Sequence, residues 1–328
     1  MNRTLLTYSF AAALAASAFG QVSNFDTLNG YASGVEVRLA RSRLDALREG
    51  RAEASGLVVS GHYINRKVDA ALDSIERSAH GESGRVGYSW RFDAWNVGAG
   101  IGYGTVRTDY HEVNSPAPIP LQGYVSAKFT EGAAWVSYQA GGWRVAATGS
   151  VGQTSNKGRR ISDAGSSAAD YDSSENAFSV SLSREFPVGE SLLVEPFAVV
   201  SWASSSVDGF AEQGTAPDRR VLRDFSIDEN RGGLGVRLAG KSGTWVPSLS
   251  VGWLARFSGG DTAISNTASN GSNLGVGVIP AAADGLFYIG TGVSGRFAEK
   301  WVAAANLDYL AGGDERALGI TLTVERQF

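Results

Sequence analysis

Three histidines are the residues of this 328-residue chain best suited to acid–base chemistry or metal binding. None belongs to a catalytic motif: the segment at His111 reads HEVNS and lacks the second histidine of H-E-x-x-H, and G-x-S-x-G does not occur. His62 falls on a predicted strand, and we interpret it as a polar residue on the inner face of a barrel. His80 and His111 fall in predicted loops. We therefore predict no catalytic residue, and a hydrolase that uses His62 is an unfavoured alternative.

An acidic cluster in SDAGSSAADYDSSE is the second candidate for chemistry. Asp163, Asp170, Asp172 and Glu175 carry the oxygen ligands that calcium prefers, but their spacing does not follow the D-x-[DN]-x-[DN]-G pattern of an EF-hand. The chain has no Cys, which excludes thiolate zinc sites and thiol nucleophiles. We predict no metal and no cofactor, and we assign the acidic segment to a solvated loop.

Glycine recurs at every second position of NVGAGIGYG, at Gly98, Gly100, Gly102 and Gly104. A phosphate-binding loop needs G-x-G-x-x-G between a strand and a helix, whereas Tyr103 stands where the last glycine should be. The alternative is a strand whose small residues share one face. Because glycine weakens a strand interior, a row of four predicts that something needs the space beside it, and the candidate occupant is a helix.

The N-terminus has the features of a secretory signal peptide. Arg3 precedes the short apolar run LLTYSFAAALAA, and ASAFG offers a cleavage site after Ala18 or Gly20. We assign residues 1–20 to the signal. Its removal takes one of the 29 basic residues, so 28 remain against 33 acidic ones and the formal charge becomes −5. A mildly acidic exported chain is not a nucleic-acid binder by charge.

Residues 21–54 form a short N-terminal segment with a predicted helix over 35–53. Ala40, Leu44 and Leu47 share one helical face, and charged residues surround this narrow apolar stripe. An exposed linker helix and a helix in a polar lumen both fit the pattern.

From residue 55 to residue 328 the hydrophobic period is two, which is typical of β-strands. In RVGYSWRF, for example, Val86, Tyr88 and Trp90 alternate with polar or small residues. The pattern predicts twelve strands, at 55–66, 82–92, 95–108, 131–140, 142–156, 175–186, 191–206, 225–239, 244–257, 285–297, 300–311 and 315–328. The apolar phase slips near Thr130, and we interpret the slip as a β-bulge, because an extra strand would make the count odd.

Strand length, aromatic placement and loop lengths favour a membrane barrel over a soluble β-sandwich. The predicted strands have about the ten residues that a tilted membrane strand needs, and aromatic residues lie near their ends. Short and long connections alternate along most of the chain, as in outer-membrane barrels. We predict an all-β fold: a transmembrane antiparallel up-and-down β-barrel of 12 strands, with the N-terminal helix as the candidate occupant of its lumen.

This region resembles the C-terminal translocator barrel of autotransporters, the type V secretion proteins, over about residues 55–328. The similarity is carried, in order, by VGAGIGYG, AAWVSYQAGGWRVAATGSVGQ, LLVEPFAVVSWASSSVDGFAEQG, ENRGGLGVRL and LGITLTVERQF. The resemblance implies a translocator pore in the outer membrane of a Gram-negative-type bacterium. Autotransporters carry a long secreted passenger before the barrel, whereas residues 21–54 leave room for little or no passenger.

The last strand has the pattern of an outer-membrane assembly signal. One face carries Leu318, Ile320, Leu322, Val324 and the terminal Phe328. The resemblance implies that the barrel-assembly machinery reads this strand by strand addition. Arg326 occupies an outward position where the family more often has an aromatic residue. We expect outer-membrane lipid and this machinery as partners, no nucleic acid, and a monomer.

The strand phase places a set of residues on the inner face of the barrel: Arg85, Arg91, Arg144, Arg237, Arg256, Gly98, Gly100, Gly102 and Gly104. Charges are costly toward lipid and tolerated in a watery lumen. We expect the arginines to pair with carboxylates of the 35–53 helix, which would then plug the pore. A free-standing, porin-like channel built on the same barrel is the alternative function.

Overall fold

The computed structural model describes residues 31, 32, 35, 38–45, 47, 55–70, 75–113, 120–162, 165–217, 219–241, 243–279 and 283–328. The predicted signal at 1–20 lies outside the described residues, and the predicted helix over 35–53 lies partly outside them. In the described part of the chain, no helix has the length and apolar character needed to cross a membrane.

Twelve long strands form the wall of a closed antiparallel barrel. They are β1 (Gly56–Val68), β2 (Ile75–Phe92), β3 (Trp95–Glu112), β4 (Gln122–Ala140), β5 (Trp143–Ser162), β6 (Gly165–Arg184), β7 (Leu192–Val207), β8 (Phe225–Gly240), β9 (Trp245–Ser258), β10 (Gly285–Ala298), β11 (Trp301–Gly312) and β12 (Glu315–Gln327). Each pairs with its neighbours in the chain, and β1 pairs with β12 along all 13 of its residues, which closes the barrel. The predicted strand number and up-and-down order are confirmed.

Short turns connect the strands at one end of the barrel, the turn end. At the other end, the loop end, four of the six connections are longer loops, whereas β5–β6 and β11–β12 are each joined by two residues. Gly141 and Gly142 make the turn between β4 and β5 with φ values of 58° and 80°, a region that costs glycine no steric strain. A short hairpin extension, Phe186–Val188, pairs with the start of β7 at the same end. The tight turns set the register of each strand pair.

Apolar side chains cover the outer face of the barrel. Ile101 on β3 is 75% exposed and Leu234 on β8 is 70% exposed, values that suit a lipid-facing surface and not a water-facing one. Exposed aromatic residues surround the turn end: Trp90, Phe92, Trp95, Trp143, Phe186, Trp245, Phe297 and Trp301. This ring matches the interfacial girdle of membrane barrels.

Strands β2 to β6 continue past the apolar band, and on β2, β3, β4 and β6 the alternation inverts where they leave it. On β3 the outward residues are apolar up to Tyr103 and then change to Thr105 and Arg107, while Val106 and Tyr110 are buried on the inner face. Within a membrane an outward side chain meets lipid. Beyond the membrane it meets water, and apolar residues move to the inner face.

The bulge predicted near Thr130 is wrong. β4 runs unbroken from Gln122 to Ala140 and pairs with both neighbours without a register shift. Ala134 is exposed on the outer face, whereas Phe129 is buried on the inner face. The slip in the hydrophobic pattern therefore records a change of surroundings, and the strand begins at 122 instead of 131.

The long loops build a second, four-stranded sheet at the loop end, which we call the cap. Its strands are Phe210–Ala211, Arg220–Leu222, Thr262–Ala268 and Asn273–Ile279. One face of the cap packs in an apolar cluster with inward residues of β3, β4 and β6, and this cap cluster includes Phe210, Leu222, Ile264, Ile279, Tyr110, Val125 and Tyr171. The cap thus covers the lumen at its loop end.

Candidate functional site in the barrel lumen

A helix, α1, lies inside the barrel: all described residues between 31 and 47 are helical. Its first described residues, Tyr31, Val35 and Leu39 among them, belong to the cap cluster. Ala40, Leu44 and Leu47 belong to a second buried cluster with inward residues of the wall: Ile64, Val106, Phe129, Leu254, Tyr288 and Leu310. The apolar stripe of the helix is therefore buried against the barrel wall.

Tyr31 holds the first described turn of α1 at the loop end. Its ring is buried beside Tyr171 and Phe210, with centroids 5.8 and 5.1 Å away, and a Cβ on Gly158 would lie 2.3 Å from its Cε1. The hydroxyl donates to Glu212 Oε1 over 2.6 Å, and the carbonyl accepts from the Tyr171 hydroxyl over 2.9 Å. Burial, with the negative charge of Glu212, raises the pKa of Tyr31 well above its usual value, so the phenol keeps the proton that it donates.

Glu212 joins three parts of the molecule. Besides the Tyr31 hydroxyl, its carboxylate accepts from Arg160 Nε over 3.0 Å and Nη2 over 2.8 Å, and from the Arg220 amide over 2.9 Å. Arg160 belongs to β5 and Arg220 to the cap. The charged acceptor thus connects α1, the barrel wall and the cap at one point.

Arg43 lies at the centre of a buried ion-pair network in the middle of the lumen. Its Nε donates to Glu229 Oε1 over 2.5 Å, its Nη2 donates to the second oxygen of Glu229, and its Nη1 donates to Glu315 Oε1 over 2.6 Å. Glu315 also accepts from Arg66 Nε over 2.9 Å, and Glu229 from Arg231 Nε over 2.6 Å. At most 7% of any of these five side chains is exposed, so the charges depend on one another for stabilisation.

Two further arginines of α1 bind wall carboxylates on other strands. Arg38 pairs with Glu175 of β6. Arg41 Nη2 lies 2.8 Å from Glu131 Oε1 of β4, and the Arg41 guanidinium lies over the ring of Phe129, 5.5 Å from its centroid. The helix thus presents arginines to carboxylates around the lumen.

Asp45 is the described carboxylate of α1, and it faces two basic side chains of the wall. Its Oδ2 lies 3.6 Å from Arg85 Nη2, and its Oδ1 lies 4.0 Å from His62 Nδ1. Arg85 Nη2 also lies 3.0 Å from Glu131 Oε1. His62 also contacts Ser60 Oγ at 2.9 Å and Thr321 Oγ1 of β12 at 3.2 Å. We interpret His62 as a structural polar residue of the lumen.

Arg237 contacts α1 near the turn end. Its Nη2 donates to the Leu47 carbonyl over 3.4 Å, and its Nη1 lies 2.9 Å from Glu195 Oε2. A cation beside carbonyls toward the C-terminal side of a helix is favoured by the helix dipole. Because Arg237 lies near the turn end of β8, α1 runs from the loop end at Tyr31 toward the turn end at Leu47.

The wall arginines that the sequence places on the inner face fall into two groups. Arg85 and Arg237 contact α1. Arg91 and Arg144 lie at the turn end and Arg256 lies at the loop end, where they contact other wall or loop residues: Ser55, Gln139 and Asp284. We expected wall arginines to pair with carboxylates of the helix. In most helix–wall pairs the roles are reversed, since α1 supplies the guanidinium and the wall supplies the carboxylate.

The glycine row of β3 receives side chains from β4. A Cβ on Gly98 would lie 2.2 Å from Trp135 Cε2, and a Cβ on Gly102 would lie 2.6 Å from Glu131 Oε1. A Cβ on Gly104 would lie 2.4 Å from Cζ of Phe129, its partner on β4.

At Gly100 the nearest atom is the Val86 carbonyl oxygen of β2, 2.9 Å from the Cβ position. The nearest side chains in the glycine row therefore come from β4, and Phe129 and Glu131 in turn contact Arg41 of α1.

The wall carboxylates that bind α1 carry no sequence motif: Glu131, Glu175, Glu229 and Glu315. The sequence assigns the acidic segment that ends at Glu175 to a solvated loop and begins a strand at 175, whereas the structure begins β6 at Gly165. Glu175 faces inward on β6, and Asp170 and Asp172 face outward. Asp163 lies outside the described residues. The strand phase is the sequence feature that could have located these glutamates. It places a single acid on the inner face of the barrel, where a buried carboxylate needs a cation as its partner.

The remaining histidines also differ from expectation, because His80 and His111 lie on the outer faces of β2 and β3 instead of in loops. Over the described ranges, no group of three or more His, Cys, Asp or Glu side chains is arranged to hold a metal ion.

On β12 the proposed assembly face points outward, with these side chains exposed: Leu318, Ile320, Leu322, Val324 and Phe328. Arg326 shares this face, and its guanidinium lies 5.6 Å from the Trp301 ring centroid and 5.0 Å from that of Phe328. The arginine thus packs among the aromatic residues of the turn end.

Solved autotransporter barrels share this fold. The translocator domain of autotransporter NalP from Neisseria meningitidis gives a TM-score of 0.68 at 16% identity, over 92% of this chain and 98% of that one. The transport unit of AIDA-I from Escherichia coli gives 0.59 at 11% identity, over 92% and 99%. The β-domain of the Bordetella autotransporter BrkA gives 0.56 at 16% identity, over 84% and 100%. At these identities the likeness concerns the fold alone.

The family follows from the sequence profile. No curated protein sequence matches the chain. The profile of the Autotransporter beta-domain family, however, matches residues 57–308, which include most of the barrel. The chain therefore belongs to the autotransporter β-domain family, and it is an outer-membrane β-barrel of the translocator type.

Proposed function

We propose that this protein is a translocator pore that passes its N-terminal segment through the barrel and keeps α1 in the lumen as a plug. The direction of α1 carries the proposal. Tyr31 is held at the loop end, Leu47 lies toward the turn end, and β1 starts at the turn end with Gly56. The described chain therefore starts α1 at the loop end and begins the wall at the turn end.

In outer-membrane barrels the short turns face the periplasm and the long loops face the outside. Residues 1–20, as a signal peptide, would deliver the chain to the periplasmic side. The segment that precedes α1 must then cross to the outer side, and the lumen is the path that joins the two ends of the barrel. Residues 21–54 act as the translocated and lumenal segment in this proposal, and residues 55–328 form the barrel.

The charges of the lumen suit this function. Contacts between arginines of α1 and carboxylates of several strands are made only when α1 is inside, so they favour the plugged state after transport. The proposal places the protein in a Gram-negative-type bacterium, as a monomer assembled by the barrel-assembly machinery through β12. It assigns the barrel itself no catalytic residue.

The side on which the N-terminal segment lies can be tested directly. An epitope inserted within 21–30 should bind antibody on intact cells, whereas the same epitope in the turn at Asp93 should bind only after the outer membrane is permeabilised. An N-terminal epitope that stays hidden until permeabilisation would contradict the proposal.

A free-standing channel is the alternative that shares this barrel. Conductance distinguishes the two functions, because α1 lies in the lumen between the cap and Arg237. Deleting residues 35–53 should raise the single-channel conductance in planar bilayers, since a plug is removed. An unchanged conductance would refute the plug, and a high conductance of the intact chain would favour the channel.

A further inference from the structure

The network around Arg43 includes the pair of strands at which the barrel closes. We call the pairing of β1 with β12 the seam. We propose that α1 stabilises the closed seam through the Glu315 carboxylate, which an arginine of the helix and an arginine of β1 share. The inference goes beyond translocation, because it gives the lumen helix a role in holding the wall together.

The geometry at the seam is a diagonal ion pair. Glu315 is the first residue of β12 and lies opposite Val68 of β1, while Arg66 lies opposite Ala317. Arg66 Nε donates to Glu315 Oε1 over 2.9 Å, so this pair crosses the seam on its inner face. Only 3% and 4% of the two side chains are exposed.

Arg43 adds a second cation to the same oxygen, with Nη1 at 2.6 Å from Glu315 Oε1. The rest of the guanidinium binds both oxygens of Glu229 on β8, away from the seam. One side chain of α1 therefore connects β12 to β8 and, through Glu315, to Arg66 of β1. This arrangement can form only when the helix is inside and the seam is closed.

The seam is the pairing that most needs such a contact. Its two strands stand at opposite ends of the barrel sequence, so its closure carries the largest loop-closure cost of the wall. Before closure, β1 and β12 both expose unpaired strand edges. A contact present only in the closed, plugged barrel shifts the equilibrium toward that state.

The charge balance allows a clean test. The network holds three arginines and two glutamates, so Arg43→Met leaves Arg66–Glu315 and Arg231–Glu229 as two neutral pairs and removes only the link to α1. Arg38→Met is the matched control, because Arg38 makes a comparable helix–wall pair with Glu175 on β6, away from the seam. Amide hydrogen exchange, measured on the full chain in lipid vesicles, reads the opening of each strand pair.

We expect Arg43→Met to speed exchange of the β1 and β12 amides by at least about tenfold relative to β5 amides, and Arg38→Met to leave this ratio unchanged. Equal acceleration in all strands, or the same seam effect from Arg38→Met, would overturn the proposal. If Arg43→Met does not fold, Arg43→Lys keeps the charge but loses the double contact with Glu229, and it should show the same selectivity with a smaller effect.

A covalent seam gives an independent measurement. Asn65 and Leu318 lie opposite each other and the chain has no cysteine, so Asn65→Cys with Leu318→Cys provides one cross-seam disulfide. In the oxidised barrel, Arg43→Met should lose its effect on the temperature at which the folded, fast-migrating gel band disappears. An undiminished effect would mean that Arg43 stabilises something other than the seam. Antibody access to the N-terminal epitope tests translocation separately.

Discussion

Replacing Gly98 by alanine should destabilise the barrel, because the indole of Trp135 fills the space of the new methyl group. A Cβ at position 98 would lie 2.2, 2.3 and 2.4 Å from Cε2, Cζ2 and Nε1 of Trp135. The backbone of Gly98 has no positive φ, so alanine itself fits the strand. The ring must move, but it also lies close to Gly87, whose Cβ position is 2.9 Å from Trp135 Cη2.

The size of the effect follows from two opposing contributions. Overpacking of a filled site costs about 1–3 kcal/mol, and exchanging a strand glycine for alanine returns about 0.5–1 kcal/mol, which leaves a net loss of about 1 kcal/mol at the middle of these ranges. Gly61 is the matched control, because it faces outward on β1 with nothing within 4 Å of its Cβ position. Gly61→Ala should therefore leave the free energy of unfolding unchanged or raise it slightly.

Urea unfolding in lipid vesicles, followed by the heat-modifiable gel mobility of the barrel, measures both variants. Adding Trp135→Leu provides the decisive comparison, since a smaller side chain leaves room at position 98 and the cost of Gly98→Ala should then largely disappear. The reasoning is refuted if Gly98→Ala is as stable as Gly61→Ala, or if its cost is the same with leucine at position 135.

Two further outcomes test other contacts of the lumen. Gly100→Leu should prevent assembly of the barrel, because its Cβ would meet the Val86 carbonyl oxygen at 2.9 Å and backbone cannot move as a side chain can; normal insertion and conductance would contradict this. Tyr31→Phe should lower the free energy of unfolding of the cap by about 1 kcal/mol, because Glu212 loses its phenol donor but keeps Arg160; local exchange of the cap amides measures the effect, and unchanged exchange would show that the hydrogen bond adds nothing.

The membrane part of the wall was predictable because one physical rule governs it. Lipid outside and a polar lumen inside impose the alternation seen at Val97 and Ile101 against the glycines of β3. Beyond the lipid the rule reverses, and the sequence of β4 then resembles an irregularity at Thr130 although its pairing is regular. Hydrophobic pattern alone carries no record of which solvent each residue meets.

The lumen contacts were less accessible to sequence reasoning. The phase located Arg85 and Arg237 on the inner face, but it could not rank them against Arg91, which lies at the rim. Partners such as Arg43 and Glu315 are far apart in the chain, and a single charged residue on a strand has no motif. Only the closed sheet, which fixes the height and direction of each inward residue, brings them together.

The outward residues of β2 to β6 also show where the membrane ends along each strand. The continuous run of apolar outward residues ends at the level where lipid gives way to water, and it ends at Tyr103, Val151 and Phe178 on β3, β5 and β6. Together these levels locate the boundary between lipid and water. On one side of the barrel the strands have 18 to 20 residues and extend beyond this boundary, whereas β1 and β12 have only 13 residues each. The rim of the wall is therefore slanted at the loop end, and the cap lies on the side where the wall is higher, against β3, β4 and β6.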